Sequence, residues 1–347
     1  MIRIGIVGVG ATVSIAHYHA MGYQQDKRCQ ITAVFDINKA GAERFISSHN
    51  LDAVVANDYE DLLERVDAVS ICTPNAFHYE YASKALKEGK HVLVEKPLGV
   101  EIDECRTLDR IAKTSNAKSA VGLVYRFSDT IKKTRDIIRN NFSEVYTISG
   151  WFGGKRLADP SLPFEWRMDR KKSGSGALGD FSSHLFDIAS YITGKRVKQV
   201  EAIVNSFIKE RKDKDGNYRE VENDDTAMIM ASTGDTLLQF TVSRIGMDDV
   251  CLLITGDGGM IEASLRDGGR LTYWPKKKDG GYTGERTEIP VNKQSSLEDW
   301  FSLEIPSFLD LIEGKPSDIA SISDGLYTEE VIEAASKSSL SERKEAI

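Results

Sequence analysis

The chain opens on a short apolar run that leads straight into two closely spaced glycines. Ile2–Val7 is rich in Ile and Val, a composition typical of a parallel strand buried on both faces, and Gly8-Val9-Gly10 follows at once. These are the first two glycines of a GxGxxG fingerprint, placed between a predicted strand and a predicted helix that extends to about residue 24. Gly8 permits the tight turn, and Gly10 lets the backbone approach a pyrophosphate at the helix N-terminus. Val13 replaces the third glycine. The predicted site comprises Gly8, Gly10, Ala11, Thr12 and Val13.

The alternation of apolar runs and helical patterns continues over the first third of the chain. Six predicted strands with helices between them imply right-handed crossovers and one doubly wound parallel sheet, which is a Rossmann-type α/β domain. Such sheets bind ligands beyond the carboxyl ends of their strands, so site residues are expected in the loops that follow the strands. The predicted strands are 2–7, 31–35, 53–55, 68–72, 91–94 and 117–123.

The remaining sequence changes character. Residues 151–179 are rich in Gly, Lys, Arg and Pro and resemble a long functional loop, and a helix is predicted over 180–192. Alternating runs separated by turn signals then predict a largely antiparallel sheet. Two helices, 297–313 and 324–338, and a frayed charged tail are expected to close the chain. We therefore predict two domains with a boundary between residues 123 and 124.

The residue that ends the second predicted strand is acidic. Asp36 can accept hydrogen bonds from both hydroxyls of an NAD ribose, and its charge would repel the 2′-phosphate of NADP. The following Ile37 and Asn38 bring no arginine that could hold that phosphate. A helix-capping aspartate is the alternative interpretation. We expect NAD as the cofactor, with NADP disfavoured.

Three motifs further along the chain form a recognisable set. They are Cys72-Thr73-Pro74-Asn75 with His78, Glu95-Lys96-Pro97, and Gly174-Ser175-Gly176-Ala177-Leu178-Gly179-Asp180 with His184 and Asp187. Together they resemble the Gfo/Idh/MocA family of oxidoreductases over nearly the whole chain. The resemblance implies an NAD(P)-binding Rossmann domain over 1–123. It implies a substrate-binding and oligomerisation α/β domain over 124–347, with an open, mostly antiparallel sheet. The residues expected to line the cofactor after the fourth and fifth strands are Thr73, Pro74, Asn75, His78, Glu95 and Lys96, although His78 also suits a capping or packing role.

The chemistry of the catalytic candidates is consistent with this resemblance. Oxidation of a secondary alcohol removes the hydroxyl proton while hydride leaves the carbon, and a histidine has a suitable pKa for that proton transfer. Asp180 and His184 are four residues apart and share one helical face, which Asp187 continues as a structural partner. Lys96 follows the fifth strand, where its ammonium can stabilise a developing alkoxide. We expect Lys96, Asp180 and His184 to be catalytic, although a lone helical histidine or a lysine after a strand can also be structural.

The substrate side is predicted from aromatic and arginine pairs. Tyr125 and Arg126 follow the sixth strand, and Trp166 and Arg167 lie in the long loop. Guanidinium groups bind hydroxyls and carboxylates, and an aromatic face covers the C–H surface of a sugar. We expect these four residues, with Asp180 and His184, to contact the substrate; interdomain packing is the alternative. Because the loop also carries basic residues, a phosphorylated or acidic sugar stays an open alternative for the substrate.

The expected activity is that of an NAD(P)-dependent dehydrogenase acting on CH–OH groups. Hydride would pass between a secondary alcohol of a sugar, inositol or related polyol and the nicotinamide. Two alternatives stay open. One is an NAD-dependent glycosidase with no net redox change, and the other is a non-catalytic regulator that senses NAD and a sugar. The retention of Lys96, Asp180 and His184 argues against the regulator.

Composition excludes several other classes of partner. The net charge of -8 argues against nucleic acid binding, and no apolar run reaches the length of a membrane helix. The four cysteines are scattered without a CxxC pair, so we expect no metal site and a reducing, cytoplasmic setting rather than export. Val200, Ala202, Val204 and Ser206 alternate with polar residues. This pattern, together with the family resemblance, predicts a homodimer or homotetramer assembled through the second sheet.

Overall fold

The computed structural model describes residues 1–11, 14–277, 279, 281, 285–294 and 296–347. Its internal contacts divide the chain into two compact units. The first comprises residues 1–127 and 297–326, and the second comprises residues 128–296 and 327–347. The first unit is therefore discontinuous in sequence, which a single boundary after residue 123 does not describe.

The first unit is built on a parallel sheet. Over the described residues the strand order is β3-β2-β1-β4-β5-β6, and each neighbouring pair is parallel. This is the order of a doubly wound dinucleotide-binding fold, so the predicted Rossmann domain is confirmed. The strands are β1 Ile2–Val7, β2 Cys29–Phe35, β3 Val54–Val55, β4 Ala68–Ile71, β5 His91–Glu95 and β6 Ser119–Gly122.

Helices connect these strands, and α2 and α3 begin after residues whose side chains cap them. The Asn38 side chain accepts a hydrogen bond from the Gly41 N–H, and Asp58 accepts one from the Asp61 N–H. The crossover helices begin and end close to their predicted limits. They are α1 Ala16–Gln24, α2 Lys39–His49, α3 Tyr59–Arg65, α4 His78–Lys87 and α5 Ile102–Thr114.

The second unit is built on a larger, mixed sheet. Over the described residues its order is β16-β15-β14-β13-β7-β12-β11-β8-β17. The β7–β12 pair is parallel and the other neighbours are antiparallel, which confirms the predicted mostly antiparallel sheet. Its elements are α6 Asp129–Asn141, β7 Val145–Gly153, α7 Arg170–Ser173, α8 Ala177–Thr193, β8 Gln199–Asn205, β9 Glu210–Lys212, β10 Tyr218–Glu220, β11 Thr226–Ser232, β12 Leu237–Ser243, β13 Asp249–Gly256, β14 Gly259–Ser264, β15 Arg270–Pro275, β16 Thr287–Ile289 and β17 Glu345–Ala346.

The central strand β7 escaped prediction. It lies between β13 and β12, and Ile148 and Phe152 on it are buried. Gly150 between them interrupts the apolar alternation that identifies the other strands. A Cβ at Gly150 would lie 2.9 Å from the Phe240 ring, so only glycine fits there without a shift of its neighbours. The predicted loop over 151–179 therefore begins only after this strand.

The end of the chain also differs from expectation. Glu345 and Ala346 pair with β8 instead of fraying, because strand pairing uses backbone groups and tolerates charged side chains. Before them come two helices, α9 Leu297–Ile312 and α10 Ile322–Ser341. Helix α9 packs on α1 within the first unit. Among the described residues, no helix has both the length and the apolar character needed to cross a membrane.

Within the first unit, Arg28 links the end of α9 to the turn before β2. Its Nη1 lies 2.6 Å from Asp310 Oδ1 and 3.1 Å from Glu313 Oε2, and its Nη2 lies 2.6 Å from Asp26 Oδ2. The hydrogen bond from Arg28 lowers the pKa of Asp26. Lys315, and then Arg28, lower the pKa of Glu313.

We predict that Arg28→Ala lowers the free energy of unfolding at neutral pH by about 1–2 kcal/mol, because it removes several charge-assisted hydrogen bonds. The carboxyls of Asp26 and Glu313 both have lower pKa values in the folded protein than in the unfolded chain. Their stabilisation is therefore present above the unfolded values of about 4 and is lost as the pH falls through the folded values.

Urea unfolding followed by circular dichroism, at neutral pH and at pH ~3, measures the difference between wild type and variant. The difference should shrink at the lower pH. Arg3→Ala removes the exposed pair with Asp67 and is the control, with a much smaller effect expected. An equal difference at both pH values would contradict the prediction.

Candidate active site

The turn after β1 has the form that a dinucleotide-binding loop requires. Gly8 has a φ of +88°, and a Cβ there would lie 2.6 Å from backbone atoms of Cys72, so only glycine fits. Its N–H donates to the Phe35 carbonyl at 3.0 Å. The Ser14 hydroxyl donates to the Gly8 carbonyl at 3.3 Å and accepts from the Ala16 N–H at 3.2 Å, a role the sequence did not predict.

The other members of this predicted loop site can be placed in part. Ala11 is exposed at the end of the turn. Thr12 and Val13 lie outside the described residues. Their predicted contact with a pyrophosphate stays a prediction.

Asp36 and Gly10 are in direct contact, which the sequence analysis did not predict. Asp36 Oδ2 accepts the Gly10 N–H at 2.7 Å, and Oδ1 accepts the Asn38 N–H at 2.7 Å. A Cβ at Gly10 would lie 2.4 Å from Asp36 Oδ1, so the carboxylate itself requires a glycine here. Carboxylate oxygens can each accept more than one hydrogen bond, so capacity for ribose hydroxyls is left. The loop thus fits a dinucleotide.

The loops after β4 and β5 are joined by His78. This histidine is buried, and its Nδ1 lies 2.7 Å from the Pro97 carbonyl while its Nε2 lies 2.8 Å from the Thr73 carbonyl. Burial lowers the pKa of His78, although both carbonyls favour the protonated ring. The geometry gives His78 a bracing role between two loops that are expected to line the cofactor.

The Thr73 hydroxyl is a further sign of a ligand in this loop. Its Oγ1 is buried and has no hydrogen-bond partner among the described residues. A buried hydroxyl without a partner is costly, and a bound cofactor would satisfy it. Pro74 precedes a short 3-10 turn over Asn75–Phe77, in which Asn75 is buried.

Glu95 supports the segment that carries Lys96. Its Oε1 lies 2.9 Å from His19 Nε2, and its Oε2 accepts the Lys96 N–H at 3.2 Å. His19 in turn lies 3.1 Å from the Ser70 hydroxyl, which pairs with Tyr23 at 2.7 Å. The contacts of Glu95 are thus with buried protein groups. This chain of hydrogen bonds gives Glu95 a structural role behind the half-buried Lys96.

His19 and Glu95 also belong to a cluster of side chains that bears on the prediction of no metal site. The ligating atoms of His19, Glu95 and Glu304 all lie within 4.8 Å of one another, in the part of the chain that the structure describes. All three residues are buried. The cluster has the donor types that a metal ion needs. The absence of a metal therefore stays a prediction.

The aromatic and basic pair after β6 makes contacts inside the first unit. The Tyr125 ring lies 4.8 Å from that of Trp300, and buried Arg126 lies 3.4 Å from Asp324 Oδ2. These contacts stabilise the end of the first unit. A role of Tyr125 and Arg126 in substrate binding stays a prediction.

Helix α8 begins three residues earlier than predicted, and the reason is Asp224. Its carboxylate accepts the N–H groups of Gly176 and Leu178, each at 2.7 Å, and its carbonyl accepts the Ala177 N–H at 3.1 Å. A Cβ at Gly176 would lie 1.8 Å from the Asp224 carbonyl oxygen, which explains the glycine. Burial raises the pKa of Asp224, against the opposing charge of Arg244 and these N–H groups.

Helix α8 carries the predicted Asp–His pair. Asp180 lies in the first turn of α8, and His184 lies one turn later on the same face. The buried His184 ring stacks on Phe152 at 5.7 Å between centroids. Asp180 is partly exposed, and its Oδ2 lies 3.6 Å from Arg244 Nη2. Asp187 is buried, which agrees with a structural role.

The predicted substrate pair Trp166 and Arg167 forms a stacked unit. The Arg167 guanidinium lies 4.5 Å from the Trp166 ring centroid and 3.6 Å from Glu165. Other cations of this basic loop also have acidic partners. These pairs are Lys155 with Asp248, Arg156 with Glu165 and Lys172 with Asp169. Acidic side chains thus offset much of the positive charge seen in the sequence.

Comparison with known proteins extends these observations to a family. Residues 2–123 match a profile described as an oxidoreductase family with an NAD-binding Rossmann fold, and residues 131–262 match the GFO/IDH/MocA C-terminal domain. Glucose-6-phosphate 3-dehydrogenase of Bacillus subtilis is 27% identical over 345 residues, which cover 96% of this chain and 95% of that protein. Inositol 2-dehydrogenase of Rhizobium meliloti is 25% identical over 351 residues, which cover 100% and 99%.

A solved structure supports the same assignment. The crystal structure of an oxidoreductase domain protein from Kribbella flavida matches this chain with a TM-score of 0.90 at 25% identity, and the match covers 100% of both chains. The two family profiles together cover more than half of the sequence. The protein therefore belongs to the Gfo/Idh/MocA family of oxidoreductases, and its N-terminal domain is an NAD-binding Rossmann fold.

Proposed function

We propose that this oxidoreductase transfers hydride between a secondary alcohol of a sugar, inositol or related polyol and NAD. The observation that carries the proposal is the Asp180–His184 pair on one face of α8, in a chain whose first domain is an NAD-binding fold. The names of the two relatives, a sugar phosphate dehydrogenase and an inositol dehydrogenase, support this substrate class.

Each proposed catalytic residue has a distinct task. NAD, when bound, supplies the hydride acceptor. His184 takes the hydroxyl proton during oxidation and returns it during reduction. Lys96 holds the substrate oxygen and stabilises its developing negative charge. Asp180 binds a neighbouring substrate hydroxyl or orients His184, and Trp166 and Arg167 contact the rest of the sugar.

We predict that Lys96→Ala and His184→Ala each lower kcat by about 100-fold or more while NAD still binds, because both groups act on the transition state. NADH formation with a panel of sugars and polyols measures turnover, and fluorescence titration measures NAD binding. Lys118→Ala removes an exposed lysine just before β6 and is the control.

Three outcomes would count against this assignment. Near-normal turnover in either variant would remove that residue from the mechanism. Glycoside cleavage without NADH accumulation would indicate the glycosidase. Tight NAD binding with neither activity would indicate the regulator.

The Asp36 carboxylate should determine the choice of cofactor. We predict that Asp36→Asn lowers kcat/KM for NAD about tenfold or more and narrows the preference over NADP, because the charge that repels a 2′-phosphate is gone. Steady-state rates with both cofactors test this. The control is Asp52→Asn at an exposed position before β3. A wild type that prefers NADP would reject the proposal outright.

We propose that the protein assembles as a homodimer or homotetramer through the outer face of the second sheet. The residues predicted for this face are Val200, Ala202, Val204 and Ser206, but the first two are buried on the inner side and the last two are partly buried. Large apolar side chains stand on the outer side, with Ile203 73% and Met230 59% exposed. Monomeric proteins rarely expose such a patch, and self-association would cover it. Met228 and Leu237 complete the patch.

We predict that the double variant Ile203→Glu with Met230→Lys shifts the protein to a smaller species, because charges in an apolar interface are costly to desolvate. Size-exclusion chromatography with light scattering gives the mass. Leu340→Glu changes an exposed leucine on α10 and is the control. A wild-type protein that is monomeric would refute the proposed assembly.

We also propose a cytoplasmic location. Cys29 and Cys72 are buried free thiols, which suits a reducing compartment. Fractionation of cells that express the protein would test the location.

A further inference from the structure

Arg244 follows β12 and contacts two parts of the second unit that are proposed to handle the substrate. It is 5% exposed. Its Nη1 donates to the Arg167 carbonyl at 3.1 Å, and its Nη2 lies 3.6 Å from Asp180 Oδ2. Its backbone N–H is held by the Asp225 carbonyl at 2.8 Å. One buried guanidinium therefore connects the substrate loop with the first turn of α8.

The Arg167 carbonyl is a fixed point of this loop. Besides Arg244, it accepts the Asn223 side-chain amide at 2.8 Å and the Ser173 hydroxyl at 3.3 Å. Asn223 and Ser173 are themselves hydrogen-bonded at 2.6 Å. The Arg244 and Asn223 donors on this carbonyl tie the backbone between Trp166 and α7 to the sheet. The predicted loop over residues 151–179 is thus anchored at the Arg167 carbonyl.

The guanidinium is well suited to join these groups. It is planar and carries donors on three nitrogens, so it can address a carboxylate and a carbonyl at the same time. Its burial weakens solvent screening, which strengthens the attraction to Asp180 at 3.6 Å. The charge of Arg244 also favours the ionised forms of Asp224 and Glu165. A lysine could neutralise Asp180 but could not match the fork geometry.

We propose that Arg244 is a positioning residue that holds Asp180 and the Trp166–Arg167 segment in one arrangement for the sugar. Asp180 belongs to the catalytic set, and Trp166 and Arg167 belong to the substrate-contacting set. Arg244 acts through both. The inference rests on the proposed function for the roles of Asp180, Trp166 and Arg167, whereas the coupling of the two segments is a property of the fold.

The test compares Arg244→Gln and Arg244→Lys with the matched control Arg211→Gln. Arg211 is 2% exposed and also anchors the loop, through the carbonyls of Asp159, Leu162 and Leu157. The Arg211→Gln variant therefore also removes a buried guanidinium that binds this loop, but it leaves the contact between Arg244 and Asp180 in place. Hydrogen exchange of the full-length protein, read by mass spectrometry, needs no turnover.

Arg244→Gln should speed exchange about tenfold or more in two segments, residues 164–173 and 176–184, because both lose a shared anchor. Arg211→Gln should affect the loop near 157–162 and leave 176–184 as in the wild type. Arg244→Lys should restore protection at 176–184 more than at 164–173. Unchanged exchange at 176–184 in Arg244→Gln would overturn the proposal, as would the same pattern in Arg211→Gln.

Kinetics with NAD and the sugar that the panel identifies provide a second measurement. Arg244→Gln should raise KM for the sugar and lower kcat, each about tenfold, with KM for NAD nearly unchanged, and Arg244→Lys should recover part of kcat. A loss in kcat/KM for NAD as large as that for the sugar would contradict a positioning role. If the wild type oxidises no sugar, the proposed function fails, while the exchange experiment still decides whether Arg244 couples the two segments.

Discussion

The carboxylate of Asp224 is the group on which the candidate site of the second unit depends. The first turn of a helix leaves N–H groups that the helix itself cannot satisfy. Asp224 accepts those of Gly176 and Leu178 through its side chain and that of Ala177 through its carbonyl. A residue 46 to 48 positions further along the chain thus determines where α8 begins, and with it the place of Asp180 and His184.

The charge of Arg244 favours the ionised form of Asp224. Burial raises the pKa of Asp224, and the positive charge of Arg244 opposes that change. The same guanidinium lies beside Asp180, so one cation influences a structural and a proposed catalytic carboxylate. The substrate loop is tied to this group through the Arg167 carbonyl. The site is therefore supported by paired and hydrogen-bonded buried charges, which a low-dielectric interior requires.

The sequence was most informative where the determining contacts are local. Apolar runs and caps predict the Rossmann strands and helices. They also predict that the turn at Gly8 and Gly10 follows β1 and that Asp36 lies at the end of β2, and the structure has the three residues at these places. Their contact with the cofactor stays a prediction. The strand β7 was missed because Gly150 breaks its pattern, although that glycine is required by Phe240 across the sheet. The alternation along β8 correctly groups Val200 and Ala202 on one face of the sheet. Alternation alone, however, cannot show which of the two faces is covered by the protein's own helices.

The supporting residues of the site were beyond prediction for a related reason. Asp224 and Arg244 act on α8 and the substrate loop from distant positions, and no spacing rule connects them. Their sequence signal was weak, an acidic pair before β11 and an arginine after β12. His78 could be found as part of a motif, but its contacts with the Thr73 and Pro97 carbonyls could not. Long-range pairs of this kind require coordinates.

The division of the first unit into two stretches of sequence has a consequence for how the protein is made. When the ribosome has released the first 127 residues, all strands of the parallel sheet are present, but the helix that packs on α1 is not. Arg28 cannot pair with the carboxylates of Asp310 and Glu313 until the chain has been synthesised to that point. The NAD-binding domain therefore begins to form first but can be completed only after residues 128–296 of the second unit have been synthesised.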